Sequence, residues 1–248
     1  ILLYKLSLLF TKRPIIVFTG FLVSGNFFPV RQDFAVILFS YGLTYIIKKK
    51  AVGYYIFNVV SMGIHQSATA LLPLYFILNR FFLKYKYAIL CFVLSYLFAE
   101  FFASDIVRLL SKIIGGSIGS VIDGYYYAST HSEDVNENLS NPVFAFILNS
   151  MFLTYFYYVY ANFTAKTHHG ISNDGRTIFM VLINCFIIAI VINQLFLRTF
   201  SSLARLSSYF SIATWILYAR SLDESKNKLL NTEAITFLFF YLFYSYYK

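Results

Sequence analysis

The sequence predicts an all-α protein: a polytopic transmembrane helix bundle with a short helical hairpin around His65 and one long extracytoplasmic segment, residues 104–141. Three observations carry this. Hydrophobic residues make up 59% of the 248 positions and charged ones only 12%, against about 25% charged in an ordinary soluble domain. The apolar stretches have the length of membrane-crossing helices and lack the alternation of barrel strands. The basic residues fall in clusters between those stretches, as they do where loops set membrane orientation. A soluble domain of this size has too little interior to hide so much apolar surface. Lipid supplies that apolar phase, but offers no partner for backbone polar groups, so spans must be helices or closed barrels.

In chain order, Ile1–Phe10 reads as the end of a helix. The opening at Ile1, inside an apolar run, predicts a fragment of a longer protein, with 1–248 as a single transmembrane domain. Pro14–Phe28 is a short span, with Pro14 suited to a helix start because the first turn needs no donor from it. Gln32–Ile47 follows. Ala51–Leu78 is apolar except around Ser61–Ser67, and Gly63-Ile64-His65-Gln66-Ser67 collects the polar and flexible residues that break helices. Tyr87–Phe102, Pro142–Phe163, Thr177–Leu197, Ser202–Ala219 and Leu230–Tyr247 complete the expected spans.

Charge fixes the hairpin. An unbroken helix over Ala51–Leu78 would put Lys48-Lys49-Lys50 and Arg80/Lys84/Lys86 on opposite faces of the membrane. Two arms, Ala51–Met62 and Gln66–Leu78, put them on one face together with Lys12-Arg13, Lys166/Arg176 and Arg220/Lys226/Lys228. That face is then cytoplasmic, and 104–141 lies outside. The net charge of +9 is thus loop charge that orients the chain, and no nucleic-acid partner is expected from it. Within the outer segment, Ser104–Ile114 has the pattern of an interfacial amphipathic helix, which Gly115-Gly116 ends. His131–Ser140 reads as a polar loop. Cys91 and Cys185 sit in apolar runs as small core residues, with no metal or redox spacing.

Arg31, His65, Arg198 and Arg205 collect at the outer side in this arrangement. Ionisable groups at membrane depth are costly and mark functional positions. Arginine offers a planar fork of donors that stays charged, suited to phosphate, although terminal arginines also reach lipid headgroups. For Arg198 the headgroup reading is preferred. For Arg31 and Arg205 both readings stand. His65 can take or give a proton near neutral pH, or simply close a helix corner. No second histidine or carboxylate stands at zinc-ligand spacing, so neither a metal site nor a cofactor is expected. His168-His169 reads as a solvated loop pair.

Three segments resemble one family. Arg31-Gln32-Asp33-Phe34-Ala35 is similar to the RQxxA that opens a helix in EpsG-like (Wzy-type) polysaccharide polymerases. His65-Gln66-Ser67-Ala68 with Leu71-Leu72-Pro73-Leu74-Tyr75 resembles that family's H-x-S-A…LP segment. Arg205-Leu206-Ser207-Ser208-Tyr209-Phe210 resembles its late R-L-x-x-Y-F segment, in the same order. The resemblance implies a multi-pass protein of the bacterial inner membrane that polymerises repeat units of exopolysaccharide, capsule or O-antigen. Donor and acceptor would both be oligosaccharides linked to undecaprenyl diphosphate, with membrane lipid, a chain-length regulator and a flippase as further partners.

A glycosyl diphosphate carries a good leaving group, so the chemistry needs charge stabilisation and a base for the attacking hydroxyl. Arg31 and Arg205 are the candidates for the first role and His65 for the second. Arg31, Gln32, Gln66, Arg205 and Tyr209 are the candidate substrate contacts. A lipid-linked oligosaccharide flippase, an O-antigen ligase and a membrane acyltransferase are the competing functions. Arginines in a cavity suit the flippase, but the inverted or parallel repeats frequent in transporters are not visible in the sequence.

Overall fold

The computed structural model describes residues 2–24, 30–101, 142–166, 173–196 and 201–225, and residues 105, 109, 112, 113, 115, 116, 124 and 127 singly. Among these residues every regular element is helical. In chain order they are α1 (Leu2–Leu8), α2 (Pro14–Ser24), α3 (Val30–Ile47), α4 (Ala51–Ile64), a 3₁₀ helix (Gln66–Leu71), α5 (Leu74–Arg80), α6 (Tyr85–Phe101), α7 (Pro142–Lys166), α8 (Asn173–Phe196), α9 (Ser201–Ala204), a second 3₁₀ helix (Arg205–Phe210) and α10 (Ser211–Glu224). The expected span Leu230–Tyr247, the loop His131–Ser140, His168-His169 and Arg198 lie outside the described residues.

Two helices are long and apolar enough to cross a membrane: 23 residues over Val143–Ala165 and 22 over Gly175–Phe196. At 1.5 Å per residue each exceeds the roughly 30 Å of a hydrocarbon core. Apolar side chains are also exposed on α7 and on α4. Val143, Ile147, Met151 and Tyr158 form an exposed stripe along α7, and Val52, Ile56, Val59 and Val60 another along α4. Soluble monomers rarely expose contiguous apolar surface on this scale, whereas lipid accepts it.

The chain forms two compact units. The first holds residues 1–83, 153–186 and 208–248, and contains most of the polar bonding that matters for function. In it α3 and α4 pack antiparallel, with Ser61 Oγ donating to Ala35 O at 3.0 Å near one end and Tyr45 stacked on Phe57 toward the other. The reversal between them is a Schellman turn: Lys50 N donates to Tyr45 O at 2.8 Å and Lys49 N to Ile46 O at 2.9 Å. Lys49 takes the left-handed conformation this turn requires, at φ 54°. Phe39 fills the centre, edge-on to Tyr54, Tyr209 and Phe210. Antiparallel to α10 runs α2, with Gly20 so close to Trp215 that a Cβ would stand 2.1 Å from the indole.

The hairpin is present, with one change in its second arm. Helix α4 stops at His65, whose backbone is extended (φ −145°, ψ 114°) and whose N–H still donates to Ser61 O at 2.9 Å. The return arm is not one helix over Gln66–Leu78. It is the 3₁₀ helix Gln66–Leu71 followed by α5, with Pro73 at the cap position of α5. Proline lacks an N–H and cannot sit inside a continuous α-helix. The arm nevertheless runs back along α4. Tyr54 donates its hydroxyl proton to Leu71 O and its ring meets Tyr75. The buried Asn58 amide, oriented as its neighbours require, donates to Ala68 O at 3.2 Å and accepts from Leu72 N at 3.3 Å.

Consequently Lys48–Lys50 and Arg80 arrive at the same end of this unit. Arg13 and Arg220 lie there too: Arg13 Nε is 3.1 Å from Asp223 Oδ1, and Arg220 Nη1 donates to Phe10 O at 2.7 Å. Arg220 also stands over the Phe179 ring, 5.4 Å from its centroid. Burial pushes its guanidinium below the ordinary arginine range, opposed by the carboxylates of Glu224 and Asp223.

The second unit holds residues 84–152 and 187–207. Ser95 Oγ of α6 donates to Gln194 Oε1 of α8 at 2.6 Å, and Tyr96 packs on Phe146 with ring centroids 5.1 Å apart. Within residues 104–141, Leu109 and Ile113 are helical and exposed. Gly115 and Gly116 both have positive φ, 59° and 57°, a conformation open to glycine. Most of that segment lies outside the described residues.

Candidate functional site

At the end of the first unit opposite the basic cluster, the three segments that suggested a family are bonded to one another. Gln32, one residue into α3 from Arg31, is buried and donates Nε2–H to Ser208 Oγ at 2.7 Å. Ser208 belongs to the second 3₁₀ helix, and its carbonyl accepts from Ser211 Oγ at 2.7 Å, where α10 begins. One residue on, the Tyr209 hydroxyl lies 3.0 Å from Ser67 Oγ. Ser67 in turn lies 2.8 Å, through Oγ, from His65 Nδ1, and its backbone N–H donates to the same nitrogen at 3.4 Å. The Ser61–Ala35 bond ties the hairpin tip to the first segment. Segments 176 and 142 residues apart in sequence thus meet through single side-chain bonds.

The local sequence explains each placement. His65 is the residue at which α4 ends, and its ring caps the 3₁₀ helix that follows by accepting from Ser67 N, one of the amides such a helix leaves without an internal partner. Tyr209 is fully buried, held between the Phe39 ring and the Ser67 hydroxyl. Gln32 is buried at the start of a helix, where a polar side chain needs a partner, and Ser208 supplies it.

Of the residues singled out from sequence, Arg31 and His65 come to this same end of the unit. Arg31 is exposed, His65 half-buried, and Gln66 exposed beside it. Gln32 and Tyr209 are buried and committed to bonds within the protein. Arg205 is exposed and begins the second 3₁₀ helix. It precedes Ser208 by three residues, so both side chains fall on one side of that helix. Arg205 itself is counted with the second unit.

Ser67, Ser208, Asn58 and Ser61 were not singled out as site residues. Their only signal in the sequence is a polar atom inside an apolar stretch, which by itself points to no partner.

The arrangement can do definite chemistry. It presents an exposed guanidinium and a half-buried imidazole on one end of a helical unit, with the imidazole held from behind by the hydroxyl and backbone N–H of Ser67, and that hydroxyl in turn bonded to Tyr209. Cationic forks suit phosphate, and a positioned imidazole suits proton transfer or hydrogen-bond donation.

A family profile described as the EpsG family matches the chain over residues 1–248. No curated protein and no solved structure matches it. Membership supports a role in polysaccharide biosynthesis and, with the two membrane-length helices α7 and α8, association with a membrane. By its match over the full length, the chain belongs to the EpsG family.

Proposed function

We propose that the protein is a membrane glycosyltransferase, a polysaccharide polymerase of the bacterial inner membrane that crosses the bilayer several times. Its donor is a glycan chain on undecaprenyl diphosphate and its acceptor a lipid-linked repeat unit. In the transfer, the bond between the anomeric carbon and the diphosphate oxygen breaks, and the acceptor hydroxyl oxygen takes that carbon. The lipid diphosphate departs, and the hydroxyl proton passes to a base. Arg31 and Arg205 stabilise the negative charge that gathers on the leaving diphosphate, and His65 meets the reacting groups. Gln66, exposed beside His65, contacts substrate. Gln32 and Tyr209 serve the same reaction by holding the backbone of Arg31 and the ring of His65.

The observation that carries this reading is the bonding of the three family-like segments into one cluster, through Gln32–Ser208 and Ser67–Tyr209. The segments hold the chain's candidate phosphate and proton groups, and the cluster stands at the end of its unit away from the basic loops, as a site on the outer face requires. A chain-length regulator and a flippase are its expected partners in the membrane.

Polymer length tests it, in cells lacking the native gene and complemented with the full protein. Arg31→Ala, Arg205→Ala and His65→Ala, each present in the membrane at the normal level, should leave single repeat units. Arg31→Lys should recover only part of the length, since it keeps the charge and loses the fork. Normal polymer from all three alanine variants would sink the proposal.

A further inference from the structure

The ring of His65 is bonded along one edge by a single neighbour. Ser67 offers Nδ1 both its backbone N–H, at 3.4 Å, and its Oγ, at 2.8 Å. A backbone amide can only donate, so Nδ1 must present its lone pair. Turning the ring over would set a carbon-bound hydrogen against both groups and forfeit both bonds. In the neutral imidazole the proton therefore sits on Nε2. Ser67 gives its one hydroxyl proton to Nδ1, and its oxygen is left to accept from Tyr209, 3.0 Å away. The direction of the chain is thus set: Tyr209 donates to Ser67, and Ser67 to His65. Successive bonds of this kind polarise and strengthen one another. Tyr209 has little freedom to turn away, being fully buried with its ring edge-on to Phe39.

We propose that Ser67 and Tyr209 are positioning residues that hold His65 with its proton on Nε2. The ring then meets the substrate as a hydrogen-bond donor, and not as the base expected from the sequence. This rests on the polymerase reading and refines it. As the glycosidic carbon–oxygen bond to the diphosphate breaks, its electron pair settles on the leaving oxygen, which accepts from Nε2–H. The acceptor hydroxyl oxygen bonds the anomeric carbon, and its proton leaves with the departing diphosphate, the nearest basic group. His65 ends the cycle with the proton it began with.

The test is ¹⁵N NMR of the full protein, labelled at histidine and reconstituted in lipid bilayers at neutral pH. The His65 signals are those missing from His65→Gln. Wild type should give a pyrrole-type signal for Nε2 and a pyridine-type signal for Nδ1, and adding undecaprenyl diphosphate should move the Nε2 signal without changing its type. Ser67→Ala should give a mixture of the two tautomers, and Ser67→Thr, which keeps the hydroxyl, should restore the wild-type pattern. Polymerisation should fall on the order of tenfold in Ser67→Ala and Tyr209→Phe, as expected for a slightly misplaced group, and recover in Ser67→Thr.

A wild-type Nε2 of pyridine type, or a tautomer ratio unmoved in Ser67→Ala, overturns the proposal. The spectra need no turnover, so the two claims fail separately. The predicted tautomer with normal polymer from Arg31→Ala, Arg205→Ala and His65→Ala would uphold the positioning chain and remove the polymerase reading. The wrong tautomer with polymer lost in His65→Gln would do the reverse.

Discussion

The carboxylate of Asp223 faces the guanidinium of Arg13 at 3.1 Å, and this contact is the weaker part of what Asp223 does. Its other oxygen accepts from Thr11 Oγ1 at 2.6 Å and from Lys12 N at 2.8 Å. The Asp223 side chain is 12% exposed and that of Arg13 is 44% exposed. A half-exposed ion pair contributes about 1 kcal/mol at most, whereas bonds to a shielded charged acceptor contribute about 2 kcal/mol each. Arg13→Ala should therefore lower the thermal midpoint little, and Asp223→Ala should lower it by the equivalent of about 2 kcal/mol or more. Equal losses from the two variants, measured in lipid bilayers, would contradict this ranking.

Gly20 touches Trp215 where α2 crosses α10. A Cβ there would lie 2.1 Å from the indole, and a buried ring pinned in its core cannot withdraw freely. Overpacking of this kind costs about 1–3 kcal/mol, so Gly20→Ala should lower stability by that amount. Trp215→Leu placed on the Gly20→Ala background should recover part of the loss, which thermal unfolding of the single and double variants reads directly.

Asn58 bridges the two arms of the hairpin, serving Ala68 O and Leu72 N at once. Asn58→Leu preserves volume and leaves both backbone groups without that partner. Leu72 N keeps its bond to Thr69 O at 3.2 Å, so the loss is that of the two side-chain bonds, about 1 kcal/mol each. Hydrogen exchange of the Leu72 amide should accelerate, and polymer length should fall because His65 sits at the tip of the same hairpin. Unchanged exchange at Leu72 would argue against the bridge.

Lys49 occupies a conformation that costs an L-residue about 1 kcal/mol and glycine nothing comparable. With the Schellman bonds of Lys49 N and Lys50 N made by the backbone, Lys49→Gly should raise stability by about that amount. A lowered midpoint would mean the lysine side chain makes a compensating contact.

The features legible in the sequence are those set by local composition. Gly63 through Ser67 interrupts an apolar run, and α4 stops within it, at His65. Basic clusters demanded a chain that returns, and Lys48–Lys50 and Arg80 do share an end. Helix type was not legible: Gln66–Leu71 and Arg205–Phe210 are 3₁₀ helices, a choice made by Pro73 and by side-chain bonds from distant segments. Nor were the pairings legible. Whether Gln32 contacts substrate or Ser208 depends on the rotation of α3 about its axis, which short motifs do not encode. Asp223 carries no signal in the sequence because two adjacent acidic residues, Asp223 and Glu224, beside a basic cluster resemble ordinary loop charge, and its three donors come from a stretch more than 200 residues earlier.

The excursion from Lys50 to Arg80 begins and finishes at one end of its unit. An out-and-back path adds an even number to any tally of passages, so it leaves the handedness of everything downstream untouched. On the proposed multi-pass reading, lengthening or shortening both arms together would alter what happens at His65 without inverting α7 and α8. The most chemically specialised part of the chain is for that reason free to vary independently of the rule that decides which way round the rest is threaded.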